Sequence, residues 1–268
     1  MDNGCPVTGY EMEMAGMTDR GLVRPSNQDS FVVLQKPALP SRYLAVAAVF
    51  DGVGGQVHGA RASSAAVEHL IQLVGDSPPM LASSRALEVE LEKLMRKLHK
   101  RLKLDELREP ALQGMATTAT VALLGKDFPA TLWIGHVGDS PAFRLRGGQL
   151  QKLTKDDSVV CDLVREGLVA PEDAARHPQR HIITQALGSP REISPHVAAH
   201  SMEPDDCYLL CTDGLTNMVS EDAIRSILTA HPPSAACKQM IEATNSAGGI
   251  DNVTVVVMKF ARKVGQHE

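Results

Sequence analysis

No run of more than two consecutive Lys or Arg occurs in the 268-residue chain, whose net charge is -5. A nucleic-acid surface draws its affinity from clustered lysine and arginine, so that class of partner is excluded. No apolar run approaches the length of a membrane span, which argues against a membrane partner. The first residues, MDNGCPVTGYEMEMAG, lack the basic region and apolar core of a secretion signal, and the chain reads as cytoplasmic. Cysteine is sparse. Its five residues, an odd number without metal-site spacing, fit a reducing compartment, with Cys207 and Cys211 on one side of a strand as small core residues. Linkers, repeats and low-complexity segments are missing too. With 43% hydrophobic residues, one domain over 1–268 is expected.

What is present reads as strands broken by glycine or aspartate: Phe31 to Leu34, Tyr43 to Phe50, Thr118 to Leu124, Thr131 to Val137, Ala142 to Arg146, Tyr208 to Thr212 and Val253 to Phe260. Two helices are expected between the early and middle strands, at Ala60 to Val74 and from Ser84 to about Leu104. In the second, Leu87, Leu91, Leu94, Leu98 and Leu102 recur at helical spacing and form a core-packing stripe. Gly147-Gly148, between AFRLR and QLQKL, makes a hairpin turn, and hairpins imply antiparallel sheets. The fold class is α+β: a central β-sandwich flanked by pairs of helices, in four layers. The polar segment from Lys155 to Pro195, with short helical pieces in DLVREGLVAPEDAARHP, reads as a flap-like insertion over a sheet edge.

The stretch VFDGVGG, Val49 to Gly55, sets an aspartate at the end of an apolar run with three glycines after it. Asp139 follows LWIGHVG, Asp213 follows YLLCT and Asp251 precedes NVTVVVM. One such aspartate is an ordinary turn residue. Four at one edge of a sandwich would repel one another strongly unless divalent cations neutralised them. Oxygen ligands without a Cys or His cluster favour the hard ions Mg²⁺ or Mn²⁺.

Six motifs occur in the order and spacing of one family: TDRGLVRPSNQDS, FDGVGG, MATTATVALL, GHVGDS, LLCTDGLTNMVS and GGIDNVTVVVM. The chain resembles the bacterial branch of the metal-dependent PPM protein phosphatases, the protein phosphatase 2C family, from about Met14 to Phe260. The resemblance implies hydrolysis of phosphoserine and phosphothreonine by direct attack of water, with no nucleophilic Ser or Cys. Its partners would be phosphorylated proteins, the products of a serine/threonine kinase. Position by position, Asp51 would bridge two Mn²⁺ or Mg²⁺ ions about 3.5–4 Å apart. Gly52 would offer its carbonyl to the second ion, its missing side chain and those of Gly54 and Gly55 allowing close approach. Asp213 and Asp251 would complete the first ion's ligands, and Asp139 with Asp213 would hold a third, weaker ion. Arg24 would bind phosphate with its guanidinium fork, and Asp29 would orient water from behind the metal ligands.

Several positions depart from the family pattern. Gln28 stands where many members have Glu, and Val53 where animal members have a histidine. Gln56 replaces a frequent His, and His58 lies nearby. Pro141, Phe143 and Asp157 interrupt familiar wording. Two other readings compete with a phosphatase. A non-catalytic phosphoprotein-binding module would be favoured by loss of a core aspartate, and none is lost. A nucleotide-binding protein built on GVGG lacks a GxGxxG opening a βαβ unit.

Overall fold

The computed structural model describes residues 10–39, 42–53, 56–76 and 84–262. Cys5, Gly54 and Gly55 lie outside them. The first half contains β1 (Tyr10–Asp19), β2 (Asp29–Gln35), β3 (Tyr43–Val53), α1 (Gln56–Gly75), α2 (Ser84–Arg108), β4 (Ala116–Thr117), β5 (Ala119–Gly125) and β6 (Thr131–Val137). After these come β7 (Ala142–Arg146), β8 (Gln149–Lys152), α3 (Val159–Arg165), β9 (His196–Ser201), β10 (Cys207–Cys211), α4 (Asp213–Thr216), α5 (Glu221–Ala230), α6 (Pro233–Ser246) and β11 (Val253–Arg262). One sheet has the order β1-β11-β10-β7-β8. The other runs β2-β3-β5-β6-β9, with β4 paired to the end of β3. All of these pairings are antiparallel.

Strand alternation divides the apolar side chains among three cores. On β3, Ala45, Ala47 and Val49 pack between the sheets, while Val46, Ala48 and Phe50 face α1 and α2. On β11, Val256, Met258 and Phe260 face the other sheet, while Val253, Val255 and Val257 lie under α5 and α6. The result is the expected four layers, helices outside a sandwich. The leucine stripe of α2 is buried along its length, from Leu87 to Leu102. Truncating one member, as in Leu91→Ala, would cost about 2–5 kcal/mol through lost burial and the cavity left behind. Cys207 and Cys211 face the α5 and α6 core together. Burial pushes the Cys207 thiol up to about 12, so it packs as an apolar group.

The structure adds elements that the residue patterns did not assign: β1, β9, α5 and α6. It also resolves the character of segment 155–195. This segment leaves β8, forms α3 and a 3₁₀ turn at Pro171–Arg176, and returns to the sheets. A bridge between Ser158 and Ile183 closes its base, and another joins Leu187 to Thr117. Residues 165–182 are largely exposed, whereas Ala186 and Leu187 are buried, Leu187 in the core beneath α1 and α2.

Register brings the chemistry-bearing strand ends together. Asp29 opens β2 directly opposite Asp51 on β3. β6 ends beside the start of β5, placing Asp139 next to Thr118. β10 runs antiparallel to β11, so Asp213 leaves one strand where Asp251 leads into the other.

Candidate metal and phosphate site

Asp51, Asp139, Asp213 and Asp251 line one cleft of about 910 Å³ together with Arg24, Gln28 and Gly52. The backbone beneath Asp51 is fixed by the threonines of MATTATVALL. Thr117 Oγ1 and Thr118 N donate to the Asp51 carbonyl, each at 2.8 Å, and Asp51 N donates to Thr118 Oγ1 at 3.0 Å. The Thr118 hydroxyl pairs with that of Ser140 at 2.7 Å, which couples Asp51 to the turn carrying Asp139. Gly138 precedes that aspartate at φ +103°, a conformation L side chains rarely adopt, and a Cβ there would strike Thr118. At Gly52 a Cβ would collide with the backbone of Gly59 on α1 and with the Gln28 carbonyl. Only glycine lets these three segments meet at the strand end.

Asp29 is buried behind Asp51. Its Oδ2 accepts from Thr212 and Thr254 Oγ1, both at 2.8 Å, while Oδ1 is buried without a partner. Burial, opposed by those hydroxyls and supported by the charges of Asp213 and Asp251, raises its pKa to about 7. Burial and then Asp213 raise Asp139 to about 7 as well. Asp51 is pushed well above the carboxylate range by burial, then by Asp29, Asp213, Asp139 and Asp251. Asp213 is raised by burial and by Asp251, against the opposing pull of His181 and of Asn217, whose Nδ2 donates to Oδ2 at 3.0 Å. These carboxylates share too little positive charge to ionise together. A hard divalent cation supplies what the donor set lacks.

Arg24 meets Asp251 in an ion pair of 2.7 Å, with the guanidinium half-exposed in the cleft. The other oxygen of Asp251 accepts from Asn252 N at 2.8 Å. Among the described residues, no three acidic, imidazole or thiolate groups converge closely enough to cage an ion by themselves. The bonding explains this: Asp251 is turned to Arg24, and Asp213 to Asn217. The orphaned Asp29 oxygen, the glycine-only cradle and the all-oxygen donor set nevertheless fit divalent cations.

A family profile described as "Protein phosphatase 2C" matches residues 24–244. The chain belongs to the protein phosphatase 2C family. It is 37% identical over 246 residues to the serine/threonine protein phosphatase PstP of Mycobacterium tuberculosis, covering 92% of this chain but 44% of that protein. It thus spans less than half the length of that relative. Identity to the serine/threonine phosphatase stp of Listeria welshimeri is 34% over 247 residues, 90% of this chain and 93% of that one. Among solved structures, the catalytic domain of PstP in complex with two manganese ions superposes with a TM-score of 0.78 at 33% identity, covering 95% of this chain and 100% of that one. The αββα layers described above are therefore those of a phosphatase 2C fold, and a family relative holds manganese.

Three departures from the phosphatase 2C pattern acquire physical roles. The Pro141 carbonyl accepts from Cys211 N at 3.0 Å, tying β10 to the Asp139 turn. Phe143 is buried in the α5 and α6 core. Asp157 is a buried node: its carboxylate accepts from Gly138 N at 3.0 Å and from Gln185 Nε2 at 2.9 Å, and it pairs with His196 Nε2 at 2.9 Å. It joins the Asp139 turn to the returning leg of segment 155–195. His58 lies on α1 and is not among the cleft-lining residues.

Residue patterns pointed to a flap in that segment but singled out none of its cleft residues. Arg180 and His181 line the cleft together with Arg24, and also line a recess of about 220 Å³ shared with Asp139 and Asp213. No periodic pattern marks them. Asn252 was also overlooked, although its side chain organises the Arg24 loop by donating to the Arg20 and Ser26 carbonyls and accepting from Gln28 N. Its place beside Asp251 in GGIDN was the available signal.

Proposed function

We propose that this phosphatase 2C member hydrolyses phosphoserine and phosphothreonine in proteins by direct attack of water, using two Mn²⁺ or Mg²⁺ ions and a third, weaker one. The observation that carries the reading is the convergence of Asp51, Asp139, Asp213 and Asp251 with Arg24 on one cleft. Asp51 and the Gly52 carbonyl, Asp213 and Asp251 would hold the two principal ions, and Asp139 with Asp213 the third. Bound there, the ions would supply Lewis acidity to a water aimed at phosphorus and offset the charge of the phosphate.

The chain's own groups do the rest. Arg24 exchanges its contact with Asp251 for two phosphate oxygens, which a guanidinium fork can hold at once. Asp29, anchored by Thr212 and Thr254, keeps one free oxygen to orient a water. Asn217 restrains Asp213. Ser140 is buried and bonded to Thr118, and Cys211 is buried with its thiol pKa raised, so neither serves as a nucleophile.

The non-catalytic alternative is the weaker reading, since every core aspartate is present and relatives are phosphatases. Substrates would be proteins phosphorylated by a serine/threonine kinase. The chain would act as one domain over 1–268, with a core at about 14–260 and segment 155–195 as a flap beside the substrate. A cytoplasmic setting accords with Cys161, Cys207, Cys211 and Cys237 being free thiols. Among the described residues, no helix is long and apolar enough to cross a membrane. Phosphate release from a phosphothreonine peptide tests the function: turnover with Mn²⁺ that vanishes in chelator supports it, and undiminished turnover in chelator overturns it.

A further inference from the structure

The side of the cleft that carries Arg24 and Asp251 is apolar. Leu22 and Val23 immediately precede Arg24 and are each 64% exposed; Ile250 immediately precedes Asp251 and is 57% exposed. The two loops are held side by side, since Leu22 N and Val23 N both donate to the Gly249 carbonyl, at 2.7 and 3.3 Å. Met218 Cε and Ile250 Cγ1 flank the open face of Gly248, and both residues line the cleft itself. Ile250 and Met218 thus line the cleft, as do Arg180 and His181, and Leu22 and Val23 extend that apolar surface outward as a rim along the loop that leads into Arg24.

Large apolar side chains gathered in water mark a contact surface. A phosphoresidue seated on Arg24 brings its peptide neighbours within reach of this rim, because consecutive Cα atoms are only about 3.8 Å apart. We propose that the Leu22–Val23–Ile250 rim is a subsite for an aliphatic side chain adjacent to the phosphoserine or phosphothreonine, making this chain selective for phosphoproteins with apolar flanking residues. The proposal rests on the phosphatase reading above. Seating a leucine side chain there removes apolar surface of both partners from water, which favours such a substrate by about tenfold in kcat/KM. A carboxylate in the same place would lose hydration without gaining a partner.

The test compares three phosphothreonine peptides in Mn²⁺ that differ only in whether leucine, glycine or aspartate flanks the phosphoresidue. Wild type should prefer leucine over glycine by about tenfold, with aspartate the poorest. In the double variant Leu22→Ser with Ile250→Ser, the ratio of kcat/KM for the leucine peptide to that for the glycine peptide should fall to about one. A second variant, Leu22→Lys, should reverse the order and favour aspartate, an exchange that damage to the fold could not produce. Equal kcat/KM for the three peptides in wild type, or a leucine preference that survives both variants, overturns the subsite. So does self-association abolished by the same substitutions without any peptide preference, which would assign the rim to a second copy of the chain. Failure to hydrolyse any of the three peptides in Mn²⁺ would instead contradict the phosphatase reading on which the subsite depends.

Discussion

Asp29 and Asp51 stand directly opposite each other across the β2–β3 ladder, two carboxylates at one strand end. Burial there is the main cause of their raised pKa values: Asp29 reaches about 7, from an ordinary 3.8, with Asp213 and Asp251 adding to the shift, and Asp51 is pushed strongly upward by burial and then by Asp29. The fold thus holds the site in a state that water alone stabilises poorly, and cations complete it.

A pH dependence follows. Asp29 and Asp139, both near 7 in the metal-free fold, retain protons that the unfolded chain has already lost. Between about pH 4 and pH 7 the folded state binds more protons, so these groups make metal-free stability fall as pH rises through that window. Metal competes with those protons, so the stabilisation given by Mn²⁺ should grow from about pH 5 to pH 8. Thermal melts in chelator and in saturating Mn²⁺ across this range check it; a Mn²⁺ shift independent of pH contradicts it.

Arg24→Ala should lower kcat/KM for phosphopeptides by roughly 100-fold, since it removes the group proposed to bind phosphate. Metal affinity should change little, because the exposed Arg24–Asp251 pair is worth no more than about 1 kcal/mol. Steady-state kinetics and Mn²⁺ titration of the variant decide the matter. An unchanged kcat/KM would place Arg24 outside the site.

For Gln28, the loop is held by the backbone: Gln28 N donates to Asn252 Oδ1 at 2.9 Å, and its carbonyl accepts from Gly52 N at 3.1 Å. Its side chain is free to change without loosening those bonds. Gln28→Glu adds a carboxylate to the cleft and should lower the half-saturating Mn²⁺ concentration by about tenfold, with a smaller effect on kcat. Isothermal titration showing equal or weaker Mn²⁺ binding would overturn this reading.

Asp157→Ala strips the buried node that joins Gly138, Gln185 and His196. The variant should lose roughly 2 kcal/mol of stability, because the abandoned Gly138 N–H stays buried while Gln185 and His196 can turn to water. Proteolysis should speed up within segment 155–195, whose returning leg the node anchors. Denaturant melts within about 0.5 kcal/mol of wild type, the scatter of a surface substitution, would show that the node carries no stability.

Much of this was legible before any coordinates. β6 and β7 have the bounds their residues suggest, and the leucine stripe of α2 is core, because uniform apolar alternation and helical spacing each have one low-energy solution. β1 was hidden because YEMEMAGMTD alternates methionine with glutamate and has no Val or Ile: Met12 and Met14 face the sandwich while Glu11 and Glu13 reach solvent. β9 is a largely exposed edge strand with no burial pattern to betray it. α5 did carry a signal, a Ser220 cap, two acids in its first turn and Ile224, Ile227 and Leu228 on one face. The aspartates were visible because apolar runs end or begin at them, although β3 continues past Asp51 to Val53, where it pairs with β4. Arg180 and His181 were not, since a long connection places its residues through tertiary contacts alone.

The most direct test of the central claim is phosphate release from a phosphothreonine peptide by Asp51→Asn across a Mn²⁺ titration, with circular dichroism to verify the fold. If Asp51 organises the metal site, the folded variant remains at least about 1000-fold slower than wild type even at saturating Mn²⁺. Turnover near the wild-type rate would contradict the assignment of the four strand-end carboxylates as the catalytic metal site.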